Sequence, residues 1–457
     1  MLEEKRYELK NWKNVIHTTW DPQGPGVIRI HMIPPKFHWF RTAPAIVILN
    51  GQEILPLNES WAILLTEFVN RVNAFGPGEM SEKDLEFVLQ DVFHNVRKVY
   101  PSVSDEELKE DLGTIIETFE AVIHGEVPRQ EIGLLSIGEY APHMTAPHRM
   151  DLMVSAMAQN GQWHCNQKCL HCYAAGQALA ETPELSTEEW KRIIDNCRKA
   201  EIPQITFTGG EPTLRKDLCE LVAHARWFIT RLNTNGVLLT PELCKKLVEA
   251  ELDSVQVTFY SANQEVHNRL VGAENYEKTL AGIKNALAAG LNLSINTPLC
   301  SLNQDYVQTL RFLKELGVRY VTCSGLIVTG NAVKEDSVVT QLSSDVIYGI
   351  VREASEYCFA NGMEINFTSP GWIAEEKLKA LGLDVPSCGA CLSNMAVTPD
   401  GKVIPCQSWL SEETLGDMQK DSWKKIWNYP VCKKHRAFSA QMKQVCPLRG
   451  KAGEAKC

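Results

Sequence analysis

The sequence lacks the two features that would direct this protein to a membrane or out of the cell. None of its apolar runs approaches the roughly 20 residues that a helix needs to span a bilayer. The N-terminal segment MLEEKRYELKNWK is charged and polar, so it has no apolar core of a secretory signal. We therefore expect a cytoplasmic protein with no membrane partner.

Long basic tracts are also missing, and the formal net charge is −10. Nucleic-acid binding relies on clustered Lys and Arg, so we expect no nucleic-acid partner. Cysteine, in contrast, is abundant, with 15 residues in a chain of 457. Because disulfides are rare in a reducing compartment, groups of cysteines indicate metal or redox chemistry.

Three cysteines, Cys165, Cys169 and Cys172, follow one another in a C-x3-C-x2-C spacing. Three thiolates on one loop can ligate three irons of a cuboidal [4Fe–4S] cluster and leave the fourth iron open, whereas most Fe–S electron carriers close all four irons with cysteine. Zinc loops usually present two C-x2-C pairs and close four ligands. The neighbouring His164 and His171 are too close in sequence to serve as obvious fourth ligands. The spacing thus favours a cluster with one open iron.

Residues 148–370 alternate short β-like runs with amphipathic helix-like runs. The β-like runs are continuously apolar, which is typical of parallel strands covered on both faces. The repeated units predict an α/β fold, a parallel barrel or partial barrel. The cysteine loop comes right after the first strand, around Met150–Ala158, and such folds place their chemistry at the C-terminal ends of strands.

The two ends of the chain differ from this middle region in their pattern of predicted elements and in their cysteine content. In residues 1–125, apolar strand-like pieces lead into three helix-like segments, which predicts a winged-helix-like α+β module. Residues 126–147 are expected to form a linker. Residues 371–457 contain six cysteines, a density that indicates a metal-bearing extension.

Two further segments come directly after β-like runs. In the first, Gly209 and Gly210 let a ligand approach the backbone, and Glu211 adds a carboxylate. The second is the Asn-Thr-Asn-Gly segment that contains Asn235. Taken singly, each segment is also compatible with a plain turn.

Together, C-x3-C-x2-C, Gly-Gly-Glu-Pro and Asn-Thr-Asn-Gly resemble the radical S-adenosylmethionine (SAM) superfamily, whose fold is a partial (β/α)6 TIM-like barrel. The resemblance implies that the open iron chelates the amino and carboxylate groups of SAM. An electron from the reduced cluster then cleaves SAM to methionine and a 5′-deoxyadenosyl radical, which abstracts hydrogen from the substrate. It also implies an electron donor such as flavodoxin or ferredoxin.

The same resemblance suggests a role for individual residues. The cluster would be held by Cys165, Cys169 and Cys172. The predicted SAM contacts are Gly209, Gly210 and Glu211 at the amino group, His171 near the adenine, and Asn235, Thr258 and Asn296 elsewhere. Relatives often carry Arg-Gly after the fourth strand, where this chain has Val271-Gly272, so the resemblance assigns no arginine to the SAM carboxylate. No catalytic acid, base or hydrogen donor is identified.

The C-terminal cysteines extend the resemblance. Cys391-x9-Gly401-x4-Cys406 looks like the start of a SPASM or twitch extension, which houses auxiliary clusters in relatives. A turn at Gly401 in a hairpin would deliver thiolates from both arms. The full SPASM pattern does not follow, so at least one auxiliary cluster is expected, and a single one is favoured. Its predicted ligands are Cys388, Cys391, Cys406 and, as the favoured fourth, Cys446. Cys457 or Cys432 are alternative fourth ligands, or the fourth position is left for substrate. A second cluster built from Cys432, Cys446 and Cys457 is a further alternative.

The segment AIVILNGQEILPLNESWAILLTEF in the N-terminal module is similar to the peptide-recognition element of peptide-modifying radical SAM enzymes. Such an element holds a precursor's leader peptide as an added β-strand. The expected function is therefore maturation of a ribosomally made precursor peptide. A thioether cross-link fits best, a carbon–carbon link next and epimerisation less well. Gln407 stands where sulfatase maturases place a catalytic aspartate, so that class resembles this chain less.

Two alternatives stay open at this point. One is a radical SAM enzyme acting on a small cofactor precursor, because the spacing of Cys388, Cys391 and Cys406 is close to that of the cyclase in molybdenum-cofactor synthesis. The other is a winged-helix regulator controlled by an Fe–S redox switch, which would leave Gly-Gly-Glu-Pro and Asn-Thr-Asn-Gly without a role.

Overall fold

The computed structural model describes residues 7, 16–20, 28–34, 36–38, 41–50, 53–75, 80–123, 126, 128–129, 134–334, 340–411 and 413–449. Two compact units divide the chain, Met1–Thr145 and Ala146–Cys457. The division of the chain into four functional parts stays a prediction.

The N-terminal unit contains a four-stranded antiparallel sheet in the order β1-β2-β5-β6 and a separate two-stranded hairpin of β3 and β4. The strands are β1 (Ile16–Trp20), β2 (Ile28–Ile33), β3 (Lys36–His38), β4 (Arg41–Ala43), β5 (Ala45–Leu49) and β6 (Glu53–Leu57). The helices are Glu59–Phe75, Glu82–Arg97, Asp105–Ile123 and Ile137–Tyr140, followed by a 3-10 turn at Ala141–His143.

One apolar core joins the sheet of this unit to its helices. All five residues of β5 are buried, and the core also contains Phe68, Phe93 and Ile115 from the three long helices. The helix Glu82–Arg97 begins with a capping box, because the Ser81 hydroxyl accepts from the Asp84 amide while the Asp84 carboxylate accepts from the Ser81 amide.

The second unit is built on one ten-stranded sheet in the order β15-β14-β13-β12-β11-β10-β7-β16-β17-β18. From β15 to β7 all neighbours are parallel. The strands are β7 (Arg149–Ser155), β8 (Ala158–Gln159), β9 (Gln162–Trp163), β10 (Gln204–Gly209), β11 (Ile229–Thr234), β12 (Ser254–Thr258), β13 (Leu293–Pro298), β14 (Tyr320–Ser324), β15 (Glu364–Phe367), β16 (Asn394–Val397), β17 (Lys402–Ile404) and β18 (Gly416–Asp417); β8 and β9 pair only with each other. This parallel arrangement confirms the predicted α/β fold class.

Helices connect these strands in the regular βα alternation that parallel sheets require. They are Thr187–Lys199, Leu218–His224, Pro241–Glu249, Gln264–Val271, Tyr276–Ala288, Tyr306–Glu315, Ser344–Ala360, Glu375–Ala380, Trp423–Trp427 and Pro430–Ser439, with 3-10 turns at Ala178–Ala180, Pro212–Leu214 and Gly330–Val333. Within the described ranges, no helix is long and apolar enough to cross a membrane.

The C-terminal segment continues the sheet of the barrel region. β16 pairs in parallel with β7, on the side opposite β10, and β17 and β18 follow it as antiparallel strands. The hairpin between β16 and β17 turns at Gly401, which has a φ of 87°. The predicted hairpin is therefore present, and its far arm leads directly to Cys406.

Candidate functional site

A cavity of about 240 Å³ lies at the C-terminal ends of the parallel strands. The last residues of β10 through β14 contribute to its wall, as expected where βα loops converge. Every residue predicted for the SAM cluster and for SAM itself is part of this wall: Cys165, Cys169, Cys172, His171, Gly209, Gly210, Glu211, Asn235, Thr258 and Asn296. The structure thus brings all ten together; their individual roles stay predictions.

The loop that carries the three cysteines is held by backbone hydrogen bonds to the end of the helix Gln264–Val271. The amides of Lys168 and Leu170 donate to the carbonyls of Val271 and Leu270, each at 2.9 Å. Gly272 follows with a φ of 62°, and a Cβ there would lie 2.4 Å from the Lys168 carbonyl oxygen. Only glycine fits at this contact, which gives Val271-Gly272 a structural role beneath the loop.

The glycine pair brings the backbone of β10 against β7 and the cysteine loop. Gly209 has a φ of 138°, and a Cβ on it would lie 2.2 Å from the Ser155 carbonyl oxygen. The Gly210 carbonyl accepts a hydrogen bond from the Cys165 thiol at 3.4 Å. The pair therefore lets the backbone line the cavity beside a predicted cluster ligand.

Glu211 connects the Gly-Gly-Glu-Pro and Asn-Thr-Asn-Gly segments through its carboxylate. Its Oε1 accepts from the Thr213 amide at 3.0 Å, the Thr234 hydroxyl at 2.6 Å and the Thr213 hydroxyl, and its Oε2 accepts from the Asn235 amide at 2.8 Å. The side chain is fully buried, and burial raises its pKa against these hydrogen bonds, which lower it. Much of the hydrogen-bonding capacity of this carboxylate is thus used within the protein.

The remaining predicted SAM contacts have distinct surroundings. The amide group of Asn235 donates to Asn166 Oδ1 at 2.6 Å, which links this segment to the cysteine loop. Thr258 and Asn296 are register partners on β12 and β13, and Asn296 Oδ1 accepts from the Thr322 hydroxyl at 2.9 Å. Burial lowers the pKa of His171 to about 4, so its imidazole is neutral near pH 7.

The three thiols fit an iron–sulfur cluster by their chemistry and by their arrangement. Burial raises the pKa of each, to about 12 for Cys165. Thiolates in such a site need positive charge nearby, which cluster iron supplies. The three cysteines line one cavity, and three thiolates are one fewer than the four ligands that a structural zinc site closes. A [4Fe–4S] cluster with one open iron fits them.

Five cysteines come together in the C-terminal segment. The Cys406 thiol interacts electrostatically with those of Cys388 and Cys446, and the Cys391 thiol with those of Cys406 and Cys432. Every cysteine within the described part is a free thiol. Cys457, the alternative fourth ligand, lies outside the described residues. The four favoured ligands and Cys432 thus interact electrostatically in pairs, although among the described residues no three of them are grouped to hold a single metal ion.

Several cavity residues carry no motif and were not predicted from the sequence. Tyr173 follows the third cysteine directly, Gln256 and Tyr260 flank the end of β12, and Gln407 follows Cys406. In the sequence, Tyr173, Gln256 and Tyr260 are marked only by their position next to a motif or a strand end. Gln407 is marked in addition as the counterpart of the catalytic aspartate of sulfatase maturases. Gln407 shows that the C-terminal segment contributes to the same cavity as the cysteine loop.

The fold and site define an iron–sulfur enzyme of the parallel α/β barrel class, with one cysteine set in the barrel cavity and a second in the C-terminal segment. Comparison with known proteins gives the family. The Radical SAM superfamily profile matches residues 163–313, and the SPASM profile, described as an iron-sulfur cluster-binding domain, matches residues 388–449. The chain belongs to the radical SAM superfamily, and it carries a SPASM domain. Its cofactors are accordingly a [4Fe–4S] cluster, SAM and at least one auxiliary Fe–S cluster.

Two curated proteins illustrate the sequence similarity. The AdoMet-dependent heme synthase of Methanosarcina barkeri is 30% identical over 296 residues, which are 60% of this chain and 82% of that protein. The PqqA peptide cyclase of Granulibacter bethesdensis is 28% identical over 284 residues, which are 60% of this chain and 73% of that protein.

Two solved structures illustrate the similarity of the fold. Streptococcus suis SuiB bound to its precursor peptide SuiA is similar over 88% of this chain and 91% of that chain, with a TM-score of 0.57 and 14% identity. The native anSMEcpe structure with bound AdoMet is similar over 64% of this chain and 83% of that chain, with a TM-score of 0.51 and 18% identity. At these identities the likeness concerns the fold alone.

Proposed function

We propose that this enzyme matures a ribosomally made precursor peptide. The cluster and SAM, when bound, supply a 5′-deoxyadenosyl radical that abstracts hydrogen from the peptide. The installed bond is a thioether to a peptide cysteine or, second, a carbon–carbon link. The single observation that supports a peptide substrate most is the likeness to peptide-bound SuiB, which extends beyond the barrel and the SPASM segment.

The share of the chain that aligns with SuiB is larger than the barrel and the SPASM segment together. Residues 146–457 make up about two thirds of the chain, whereas the similarity to SuiB covers 88% of it. The alignment must therefore include part of the N-terminal unit. Among the described strands of that unit, β1 and β6 lie at the edges of a four-stranded antiparallel sheet, and a sheet edge suits addition of a peptide strand. We assign leader binding to this unit, at residues 1–125, with residues 126–147 as linker.

In the barrel cavity, the residues of the chain bind and orient rather than donate protons. Cys165, Cys169 and Cys172 would hold the cluster. The wall opposite them consists mainly of amides and hydroxyls from strand ends, and the carboxylate of Glu211 is engaged by backbone and threonine donors. His171 is neutral near pH 7. A hydrogen-bonding wall of this kind fits SAM and the peptide backbone.

The auxiliary cluster would be held by Cys388, Cys391, Cys406 and Cys446. Cys406 precedes Gln407, a residue of the barrel cavity, so the auxiliary site is one residue along the chain from the substrate space. This proximity suits an auxiliary cluster that accepts an electron from the product radical or ligates a substrate thiolate.

A small-molecule substrate is the second candidate, because relatives with such substrates match as well. Besides the heme synthase, a probable GTP 3′,8-cyclase of Thermococcus kodakarensis is 37% identical over 125 residues, which are 27% of this chain and 40% of that protein. Membership in the radical SAM superfamily leaves no support for the redox-controlled regulator.

The decisive experiment is anaerobic incubation of the reconstituted enzyme with SAM, a reductant and each short Cys-containing peptide that sequencing finds encoded beside its gene. We expect 5′-deoxyadenosine and a peptide lighter by two hydrogen atoms. Loss of one alkylatable thiol per cross-link would identify a thioether, and retention of all thiols a carbon–carbon link.

The control is the same peptide with the Cys165→Ala, Cys169→Ala, Cys172→Ala chain, which should leave the peptide unmodified. A holoenzyme that releases 5′-deoxyadenosine with a tetrapyrrole or nucleotide, but leaves every candidate peptide unmodified in mass and stereochemistry, would contradict the peptide assignment.

A further inference from the structure

The segment that follows β14 lines the barrel cavity and then folds back onto the cysteine loop. Three consecutive residues, Gly325, Leu326 and Ile327, are part of the cavity wall. The chain then enters the 3-10 turn Gly330–Val333. We call this stretch, residues 329–333, the β14 turn. One short segment thus contributes to the wall and also reaches the loop of the predicted cluster ligands.

Asn331, in the β14 turn, makes two hydrogen bonds to the backbone of the cysteine loop. Its backbone N–H donates to the Cys172 carbonyl at 2.9 Å, and its side-chain Nδ2 donates to the Cys169 carbonyl at 3.1 Å. Thr329 adds a third bond, from its hydroxyl to the Tyr173 carbonyl at 3.2 Å. A single residue therefore holds the carbonyls of two predicted cluster ligands.

The backbone of the β14 turn fits closely against the cysteine loop. Gly330 has a φ of 59°, and a Cβ on it would lie 2.4 Å from the Tyr173 carbonyl oxygen and 2.5 Å from that of Cys172. Ala332 is fully buried, and its carbonyl accepts from Gln341 Nε2 at 3.0 Å. Because packing holds the turn in this way, a change of the Asn331 side chain removes one defined hydrogen bond.

Two elements hold the cysteine loop, and they differ in what they connect it to. The loop amides of Lys168 and Leu170 donate to the end of the helix Gln264–Val271, which contributes no described residue to the cavity wall. The loop carbonyls accept from the β14 turn, and residues 325–327 of the wall lie just before that turn in the chain. The bonds of Asn331 therefore connect the predicted cluster ligands to the wall of the cavity.

We propose that Asn331 is a positioning residue that holds the cavity wall at residues 325–327 in a fixed place relative to the cysteine loop. The inference rests on the proposed function, in which Cys169 and Cys172 hold the cluster, and it applies to a peptide and to a small-molecule substrate alike. Hydrogen abstraction requires that the substrate lies within reach of the radical, and a misplacement of about 1 Å costs about a hundredfold in rate. Without the Asn331 bond, SAM cleavage should continue while fewer cleavage events lead to product.

The test compares Asn331→Ala and Asn331→Asp with the unmodified holoenzyme in anaerobic incubations with SAM, a reductant and the candidate precursor peptide. Asn331→Asp keeps the shape of the side chain, but its carboxylate has no N–H to donate. In both variants the ratio of modified peptide to 5′-deoxyadenosine should fall about tenfold. Bound iron and the electron paramagnetic resonance signal of the reduced enzyme with SAM should match those of the unmodified holoenzyme. Hydrogen exchange in residues 325–333 should be faster, because the loss of the bond lets this segment open more often.

The matched control is Asn285→Ala. Asn285 is half-buried like Asn331 and its Nδ2 donates to the Leu239 carbonyl at 2.8 Å, but neither Asn285 nor Leu239 is part of the cavity wall. This control should keep the ratio of the unmodified holoenzyme. The inference is overturned if either Asn331 variant keeps that ratio, or if iron, SAM cleavage and peptide modification fall in proportion, because Asn331 would then only support the loop. An unmodified holoenzyme that leaves the peptide unchanged would instead contradict the peptide assignment, and the ratio is then measured with the small molecule that is modified.

Discussion

At the residue scale, the carboxylate of Glu211 connects two segments that line the cavity. It accepts from the amides of Thr213 and Asn235 on different oxygens, so it holds two cavity-lining segments at a set distance. In Glu211→Gln, one of these oxygens becomes an NH2 group that faces a buried N–H donor. An unsatisfied buried donor costs about 1–3 kcal/mol. We expect a lower thermal midpoint of the holoenzyme and at least tenfold weaker SAM binding by equilibrium dialysis.

Glu242→Gln is the matched control for this change, since Glu242 is exposed near the start of the helix Pro241–Glu249. It should alter neither the midpoint nor the SAM affinity. Unchanged SAM affinity in Glu211→Gln would show that the cavity does not depend on this link.

The three barrel cysteines are the second prediction at this scale. Replacing Cys165, Cys169 and Cys172 by alanine should abolish 5′-deoxyadenosine release and lower bound iron from about eight to about four per chain. Chromatography of the nucleoside and a colorimetric iron assay measure both. Cys219→Ala, a half-buried cysteine outside the cavity, should change neither. Iron near twelve in the unmodified chain would instead indicate a second auxiliary cluster.

The predicted SAM contacts outside the cysteine loop share one physical property: each lies at or near the end of a parallel strand. Thr258 and Asn296 line the cavity for that reason, and their role as SAM contacts stays a prediction. The network around Glu211 was not predicted, because it depends on the distance between two loops. Cys432 was only one of several candidates, because its neighbour Cys391 is 41 positions earlier in the chain and helix packing alone brings them together.

At the element scale, the close approach of β10 to β7 depends on Gly209. The pairing of these two strands shifts register between Thr208 and Gly209, and a Cβ on Gly209 would lie 2.2 Å from the Ser155 carbonyl oxygen. In Gly209→Ala, therefore, either the strand end or the β7 backbone must move. We expect SAM-dependent 5′-deoxyadenosine formation to fall at least a hundredfold while the far-ultraviolet circular dichroism is retained.

Gly349→Ala provides the comparison, because Gly349 lies inside the helix Ser344–Ala360 with no atom within 4 Å of an added Cβ. It should keep full activity and raise stability by up to about 1 kcal/mol. Full activity in Gly209→Ala would mean that the cavity tolerates displacement of this strand end.

The hydrophobic pattern of the sequence predicts strands and helices correctly where apolar strands alternate with amphipathic helices, as from β10 to β14. β15 was not predicted as a strand: Glu364–Phe367 alternates exposed and buried residues, as an edge strand does. The pairing of β16 with β7 was not predicted either, because the two are more than 200 residues apart in sequence. Long-range pairing leaves little local signal in a single sequence.

At the scale of the whole molecule, the proposed function requires one strand edge of the N-terminal sheet to accept the leader peptide. The two candidate edges differ. The edge at β6 contains Pro56, which has no N–H to donate, and its Ile54 carbonyl already accepts from the Leu135 amide at 3.0 Å. Among the described strands, β1 pairs only with β2. The leader should therefore add to β1 (Ile16–Trp20).

Hydrogen exchange followed by mass spectrometry tests this choice on the intact enzyme. A bound strand protects the amides that it pairs with, so the authentic precursor should slow exchange in Ile16–Trp20 and leave Glu53–Leu57 unchanged. A precursor with a shuffled leader and an intact core is the control, and it should protect neither strand. Protection of Glu53–Leu57 alone would show that the leader binds at the β6 edge of the sheet and not at β1. Protection confined to residues 146–457, with the peptide still modified, would show that the core is recognised without the N-terminal unit.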